Sequence, residues 1–357
     1  MSVDDPGRVA RVDPHGAHRV LAAFPAQCRA ARALRPTPAL AIARPRVVIV
    51  AGMGGSAAGG DLLAACAADT LDVPVLVHRG YGLPAVAGPH SLVIASSYSG
   101  ETAETLSATE TALARHTALA AITAGGTLAA MAAARSVPRV TLPGGLMPRM
   151  ALGHLFFPAL TLLAACDLPV ATEAEIDEAL DVLHAQAADL VPEREAASNE
   201  AKRLALAIGE RLPVVYGGQT TGGVAYRWKT DLEENAKTFA IAGALPEMNH
   251  NEIEAWRAPA AKEMHVLLLR DRGETPEIAR RFGVLRDMIA PAAGGISESW
   301  SRGEGRLARV LSLTYLGQWV SYYLALLRET DPWTIPLLDE LKRRMRPPGG
   351  GASAPQS

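Results

Sequence analysis

Cysteine is scarce in this 357-residue chain. Its three thiols, Cys28, Cys66 and Cys166, form no C-x-x-C pair, so neither a disulfide framework nor a zinc ribbon is encoded, and buried free thiols are expected. No excess of basic charge exists either. The formal net charge of -2 argues against nucleic acid as a partner. No apolar h-region follows the N-terminal Asp4, Asp5, Arg8 and Arg11, so no signal peptide is read. The run from Met150 to Cys166 contains His154 and Pro158 and is too short to span a bilayer comfortably, so a buried helix is expected and a membrane role is not. A cytoplasmic location is the expectation. Gly-Lys-Ser/Thr is missing, which excludes a standard nucleotide P-loop.

Small residues are concentrated where strands should end. Val48-Ile49-Val50-Ala51 runs into Gly52-Met53-Gly54-Gly55-Ser56, and Leu92–Ala95 runs into Ser96-Ser97-Tyr98-Ser99-Gly100-Glu101-Thr102. Two such loops, each leading into a helix, can converge on one anion through backbone N–H groups and hydroxyls. The G-x-G-G-S spacing does not complete a dinucleotide fingerprint, because Ala57 stands at the last glycine position. Helix capping by Ser99 would give a similar pattern in the second loop.

Apolar runs at Val47–Ala51, Val73–Val77, Leu92–Ala95, Leu119–Ile122 and Arg139–Leu142 alternate with helical stretches such as Ala57–Ala68 and Ala103–Arg115. That alternation predicts a parallel sheet covered on both faces. One helix is expected over Ala17–Leu34 and another over Pro148–Cys166. Residues 172–200 are charged and helical, without strand signal, and are expected to link two domains. A second cycle has strands at Leu212–Tyr216, Thr238–Ile241, His265–Leu269 and Gly295–Trp300, and helices up to Lys237 and over Thr275–Ile289, Leu307–Leu327 and Trp333–Met345. The expected division is 1–171, with a lead-in helix and the first α/β domain, then the 172–200 connection, then 201–346, then a disordered tail at 347–357.

Three positions outside the loops carry candidate chemistry. Glu233 and Glu234 end a helix about 100° apart, so one can face a cleft as a general base while the other meets solvent; a fully solvated acidic face is the alternative. His250, in Asn249-His250-Asn251-Glu252, is titratable and placed in a short turn before a helix, where Asn249 could equally serve as a cap. Arg149 heads an apolar helix, against the dipole, unless an anion offsets it or the helix end is frayed. No histidine has a ligand spacing that suggests metal.

Together these segments resemble the bifunctional phosphoglucose/phosphomannose isomerases of the sugar-isomerase (SIS) superfamily. The resemblance runs from about residue 18 to 345. It is carried by Gly52-Met53-Gly54-Gly55-Ser56, Ser97-Tyr98-Ser99-Gly100-x-Thr102-x-Glu104-Thr105, Ala124-Gly125-Gly126, Pro148-Arg149-x-Ala151-x-Gly153, Glu233-Glu234-Asn235-x-Lys237 and Asn249-His250-Asn251-Glu252. It implies two tandem SIS subdomains and a metal-free, cofactor-free interconversion of glucose or mannose 6-phosphate with fructose 6-phosphate. By motif position, Gly54, Gly55, Ser56, Ser97, Ser99 and Thr102 would hold the phosphate and Glu234 would move the proton between C1 and C2. Arg149 would stabilise the enediolate. His250 would assist ring opening from across a homodimer interface, and Lys342 would be the C-terminal lysine. Glu101 stands where the family pattern has Asn, which implies altered phosphate affinity. A non-catalytic sugar-phosphate sensor and an SIS isomerase of another sugar phosphate are the alternatives.

Overall fold

The computed structural model describes residues 3–345; the tail expected at 347–357 lies outside them. Three short helices lead in: α1 (Pro6–Val12), α2 (Ala17–Ala22) and α3 (Phe24–Arg32). The single helix expected over Ala17–Leu34 is therefore split at Ala23. Pro25 sits in the first turn of α3 and has no N–H to continue the preceding ladder.

The first sheet contains β1 (Val47–Ala51), β2 (Val75–His78), β3 (Ser91–Ser96), β4 (Ala118–Thr123) and β5 (Arg139–Thr141), all parallel, in the order β2-β1-β3-β4-β5. Its helices are α4 (Gly54–Ala67), α5 (Ala103–Ala114), α6 (Gly126–Ala134) and α7 (Leu152–Ala164). Next come α8 (Glu173–Leu190) and α9 (Glu200–Ile208). The second sheet holds β6 (Leu212–Gly217), β7 (Ile241–Ala244), β8 (Met264–Arg270) and β9 (Gly295–Trp300), again parallel, in the order β7-β6-β8-β9. It is accompanied by α10 (Gly222–Ala236), α11 (Pro276–Ile289), α12 (Arg306–Leu327) and α13 (Pro336–Met345).

Side chains alternate across each strand, and this alternation builds three cores. Val48 and Val50 of β1 face the central layer, with Val215 of β6 and Leu267 and Leu269 of β8. Ile49 and Ala51 face α5 and α6 on the outer side. Val214, Tyr216, Val266 and Leu268 face α11 and the turns after β7. The central layer of α4, α7, α8, α10 and α12 is thus shared by both sheets. Residues 172–200 supply α8, started by a Thr172–Glu175 capping box, and its Leu180 and Leu183 enter this central core. Helix α12 is long and apolar enough to cross a bilayer, but 94% of that stretch is buried inside the fold.

Close approach of α10 to α12 depends on Gly317. A Cβ there would collide with the Trp228 indole, whose Nε1 donates to Leu313 O at 2.8 Å. Gly317→Ala is expected to lower unfolding stability. Overpacking costs about 1–3 kcal/mol, against a gain of about 1 kcal/mol in helix propensity. A drop in the urea midpoint with unchanged slope would show it.

Candidate active site

In a doubly wound sheet a ligand sits beyond the carboxyl ends of the strands where the strand order reverses. Here that point lies between β1 and β3, and both Gly/Ser loops leave from it. The carbonyl of Ser96 lies 2.8 Å from where a Cβ on Gly52 would stand, and Ser56 Oγ accepts from Tyr98 N at 3.2 Å. The two loops are therefore in direct contact. Helix α4 begins without a side-chain cap, so the N–H groups of its first turn carry no competing oxygen from its N-cap residue.

In the second loop, Ser97 Oγ lies 2.9 Å from Thr102 Oγ1 and accepts from Gly100 N at 3.1 Å. Gly100 has φ +72°, and a Cβ there would strike the Gly125 carbonyl, so the turn requires glycine. The N-cap of α5 is Thr102, not Ser99, and it makes no side-chain capping bond. Ser99 is exposed and its hydroxyl accepts only from Glu101 N, at 3.3 Å.

Glu101 turns away from the loop's hydroxyls. Its two carboxylate oxygens accept from Thr127 N at 2.8 Å and Thr127 Oγ1 at 2.9 Å, at the start of α6. A negative charge there meets the positive end of a helix. Glu101→Ala is expected to destabilise the fold by about 1 kcal/mol through loss of this cap. It should leave the KM for sugar phosphate unchanged; thermal melting and a saturation curve check the two halves.

Arg149 lies in a 3₁₀ turn, Pro148–Met150, one turn ahead of α7 rather than at its first residue. The break at Ala151 separates its charge from the helix dipole. The first Gly/Ser loop packs directly on this turn: a Cβ on Gly55 would stand 2.9 Å from Arg149 Cα. The guanidinium is 2% exposed and spread over several partners. Its Nε donates to Asn235 Oδ1 at 2.7 Å, and Nη2 donates to Pro332 O at 2.8 Å and Trp333 O at 2.6 Å. Nη1 has no hydrogen-bond partner and lies 3.6 Å from Glu234 Oε2. Burial pulls the guanidinium below its ordinary value, with Glu234 the main opposing influence.

Helix α10 supplies the other wall. Trp228, Leu232 and Ala236 fill the central core. The question of which glutamate faces inward is settled by partners. Glu233 accepts from Lys229 Nζ at 2.6 Å, while Glu234 faces Arg149. On the same helix, Arg227 and Asp231 form a buried ion pair at 2.7 Å, and Arg227 Nη2 donates to Arg149 O at 2.5 Å. Burial pushes the Asp231 carboxyl up to about 6, opposed by Arg227. Lys237 closes the helix in a left-handed conformation and donates to Asp331 O at 2.5 Å. Burial, with Arg149 nearby, brings its ammonium down to about 8. Asn235, Lys237, Arg227, Asp231 and the carbonyls of residues 331–333 are structural contributors that motif reading left without roles. The i,i+4 spacing of Arg227 and Asp231 on an otherwise apolar helix face was the one available signal.

Two candidates lie apart from this cluster. His250 is exposed at the end of a 3₁₀ turn, Glu247–His250, and no α-helix follows it; two more 3₁₀ turns do. Its neighbour Met248 packs into the core on the face of the second sheet opposite α10. Among the described residues no hydrogen bond or ion pair joins His250 to Glu234. Lys342 is exposed on α13, a helix with no buried residue.

The second sheet does not repeat the cradle. At its equivalent strand ends Thr221 Oγ1 accepts from Gly218 N at 2.7 Å and donates to Leu269 O at 2.8 Å. Arg270 is paired with Glu274 and with Glu298. Those loops are closed by their own side chains.

Residues 197–345 match the family model described as the bacterial phospho-glucose isomerase C-terminal SIS domain. The chain is 40% identical over 301 residues to a bifunctional phosphoglucose/phosphomannose isomerase of Caldicellulosiruptor bescii, covering 84% of this chain and 89% of that one. Its identity to the protein of the same name from Thermoplasma acidophilum is 33% over 298 residues, with 84% and 89% covered. A solved glucose-6-phosphate isomerase like protein from Thermus thermophilus shares the fold, with a TM-score of 0.64 at 20% identity over 95% of this chain and 99% of that one. The chain belongs to the bifunctional phosphoglucose/phosphomannose isomerase family.

Proposed function

We propose that this protein interconverts glucose 6-phosphate, mannose 6-phosphate or both with fructose 6-phosphate without a metal. The observation that carries the reading is the Arg149–Glu234 pair set against the phosphate loop, with Arg149 Nη1 unpartnered. At 3.6 Å the two groups attract, and the buried Nη1 hydrogens are taken by no protein acceptor, which leaves their hydrogen-bonding capacity for an oxyanion brought against them.

The phosphate would lie against the α4 N-terminus and the hydroxyls of Ser56, Ser97, Ser99 and Thr102, with Gly54 and Gly55 giving backbone access. Held there, the sugar presents C1 and C2 toward α10. The Glu234 carboxylate takes the C2 proton of the open-chain aldose, and the bond electrons form the C1–C2 enediolate. The same carboxyl returns the proton to C1 while the O2 hydroxyl proton passes to O1, giving the ketose with its carbonyl at C2. Arg149 stabilises the oxygen on which charge develops. Binding energy from the phosphate, remote from the reacting carbons, fixes this orientation.

His250 would move ring-oxygen and hydroxyl protons in the site of a second copy, a role its exposed position at the end of the 3₁₀ turn allows. Lys342, also unattached to the Arg149 cluster, would act after α13 docks in the assembly. The homodimer has a direct test. Glu234→Gln and His250→Ala chains, each strongly impaired, are expected to regain part of wild-type activity when unfolded and refolded together, because hybrid dimers hold one intact site. No recovery on mixing would remove the shared-site reading.

The activity itself is tested by following fructose 6-phosphate formation from each aldose phosphate in the presence of a chelator. Turnover of either substrate supports the reading. Turnover of neither rejects it, and loss on chelation rejects the metal-free chemistry.

A further inference from the structure

His250 is exposed, yet the turn that carries it is tied down on both sides. Two residues before it, Met248 is 2% exposed and packs with Val214 and Tyr216. Two residues after it, Glu252 Oε1 accepts from the Tyr216 hydroxyl at 2.6 Å. Tyr216 is fully buried on β6, the central strand of the second sheet. Its phenol oxygen also accepts from Trp256 Nε1 at 3.1 Å, and the two rings meet edge to face with centroids 6.3 Å apart. Gly243 on β7 makes room for the arrangement: a Cβ there would stand 2.9 Å from the Tyr216 ring and 3.2 Å from Glu252 Oε2. Burial first, and the Glu252 carboxylate second, push the Tyr216 phenol above its ordinary value, which keeps it a neutral donor. Asn251 adds local order, accepting from Glu252 N at 2.6 Å and donating to Glu247 Oε1 at 3.1 Å.

We infer that Tyr216 and Glu252 are positioning residues for His250: their hydrogen bond fastens the 3₁₀ turns to the rigid central strand, so that the imidazole is presented in a fixed direction. The inference rests on the role proposed for His250. A charge-assisted O–H···O⁻ bond, shielded from water at the Tyr216 end, is strong enough to act as such a fastening. A side chain aimed into a neighbouring subunit's site needs this support more than one packed within its own, because among the described residues no hydrogen bond or ring contact holds the imidazole.

The experiment compares Tyr216→Phe, Glu252→Ala, His250→Ala and the double variant Tyr216→Phe/His250→Ala with wild type. Phe keeps the ring packed on Trp256 and removes only the hydroxyl. Tyr216→Phe and Glu252→Ala are each expected to lower kcat by about 10-fold or more with KM held, the size expected of a misplaced catalytic group. In the His250→Ala background the Tyr216→Phe change is expected to cost less than about twofold, because the group it positions is gone. Wild-type kcat in Tyr216→Phe, with His250→Ala impaired, would overturn this inference alone. So would an equal fold-loss in both backgrounds, which would mark a general structural role. Wild-type kcat in His250→Ala would overturn the role of His250 and this inference with it. Should Tyr216→Phe fail to fold by far-ultraviolet circular dichroism, Glu252→Ala, altered at the more exposed end of the bond, gives the same comparison.

Discussion

Arg149→Lys is expected to lower kcat by about 10²–10³-fold, although the charge is preserved. The guanidinium does three jobs at once. Nε holds Asn235, Nη2 holds two main-chain carbonyls, and Nη1, without a protein acceptor, serves the substrate in the proposed mechanism. An ammonium has no planar fork to divide in this way. Asn235 is itself fixed by donating to Ser321 Oγ at 2.9 Å, so the direction of Nη1 is set from α12 through α10. Losing Arg149 also leaves the Pro332 and Trp333 carbonyls without this donor, and an unsatisfied buried acceptor costs about 1–3 kcal/mol. Arg149→Met should therefore melt earlier as well as turn over slowly. Kinetics at saturating substrate combined with thermal melting separate the two losses.

Glu234→Gln is expected to have the larger effect on chemistry, about 10²–10⁴-fold in kcat. Gln is close to isosteric and keeps an acceptor oxygen for Arg149, but it cannot take a proton from carbon. The phosphate contacts proposed come from the Gly/Ser loops of the first sheet and not from Glu234, so the dissociation constant for sugar phosphate should be nearly unchanged. Equilibrium binding measured beside steady-state rates would show this split. Equal losses in both would instead make Glu234 a binding residue.

Much of this arrangement is legible in the residues. Val47–Ala51 coincides with β1, and the apolar runs at 92–95 and 119–122 fall within β3 and β4. Buried parallel strands need continuous apolar sequence, and these runs are short, unlike the longer apolar stretches that form α7 and α12. The two Gly/Ser loops lie where the sequence placed them, after β1 and after β3, and are in contact with each other. What was not legible depends on neighbours distant in sequence. The choice between Glu233 and Glu234 needed Lys229 on one side and Arg149 on the other. The harmless orientation of Glu101 needed Thr127, 26 residues away. Strand β7 is paired from Ile241, not Thr238, because Lys237 ends α10 in a left-handed turn and pairing with Val214 begins only at Ile241. The three-residue carbonyl cradle at 331–333 has no side-chain signature at all.

The most direct test of Glu234 as the base places deuterium at C2 of glucose 6-phosphate and of mannose 6-phosphate and follows the label by NMR. Wild-type protein is expected to remove it from C2, to C1 of fructose 6-phosphate or to water, whereas Glu234→Gln binds the same sugars and leaves the label in place. Release of the C2 label by Glu234→Gln at the wild-type rate would contradict that role.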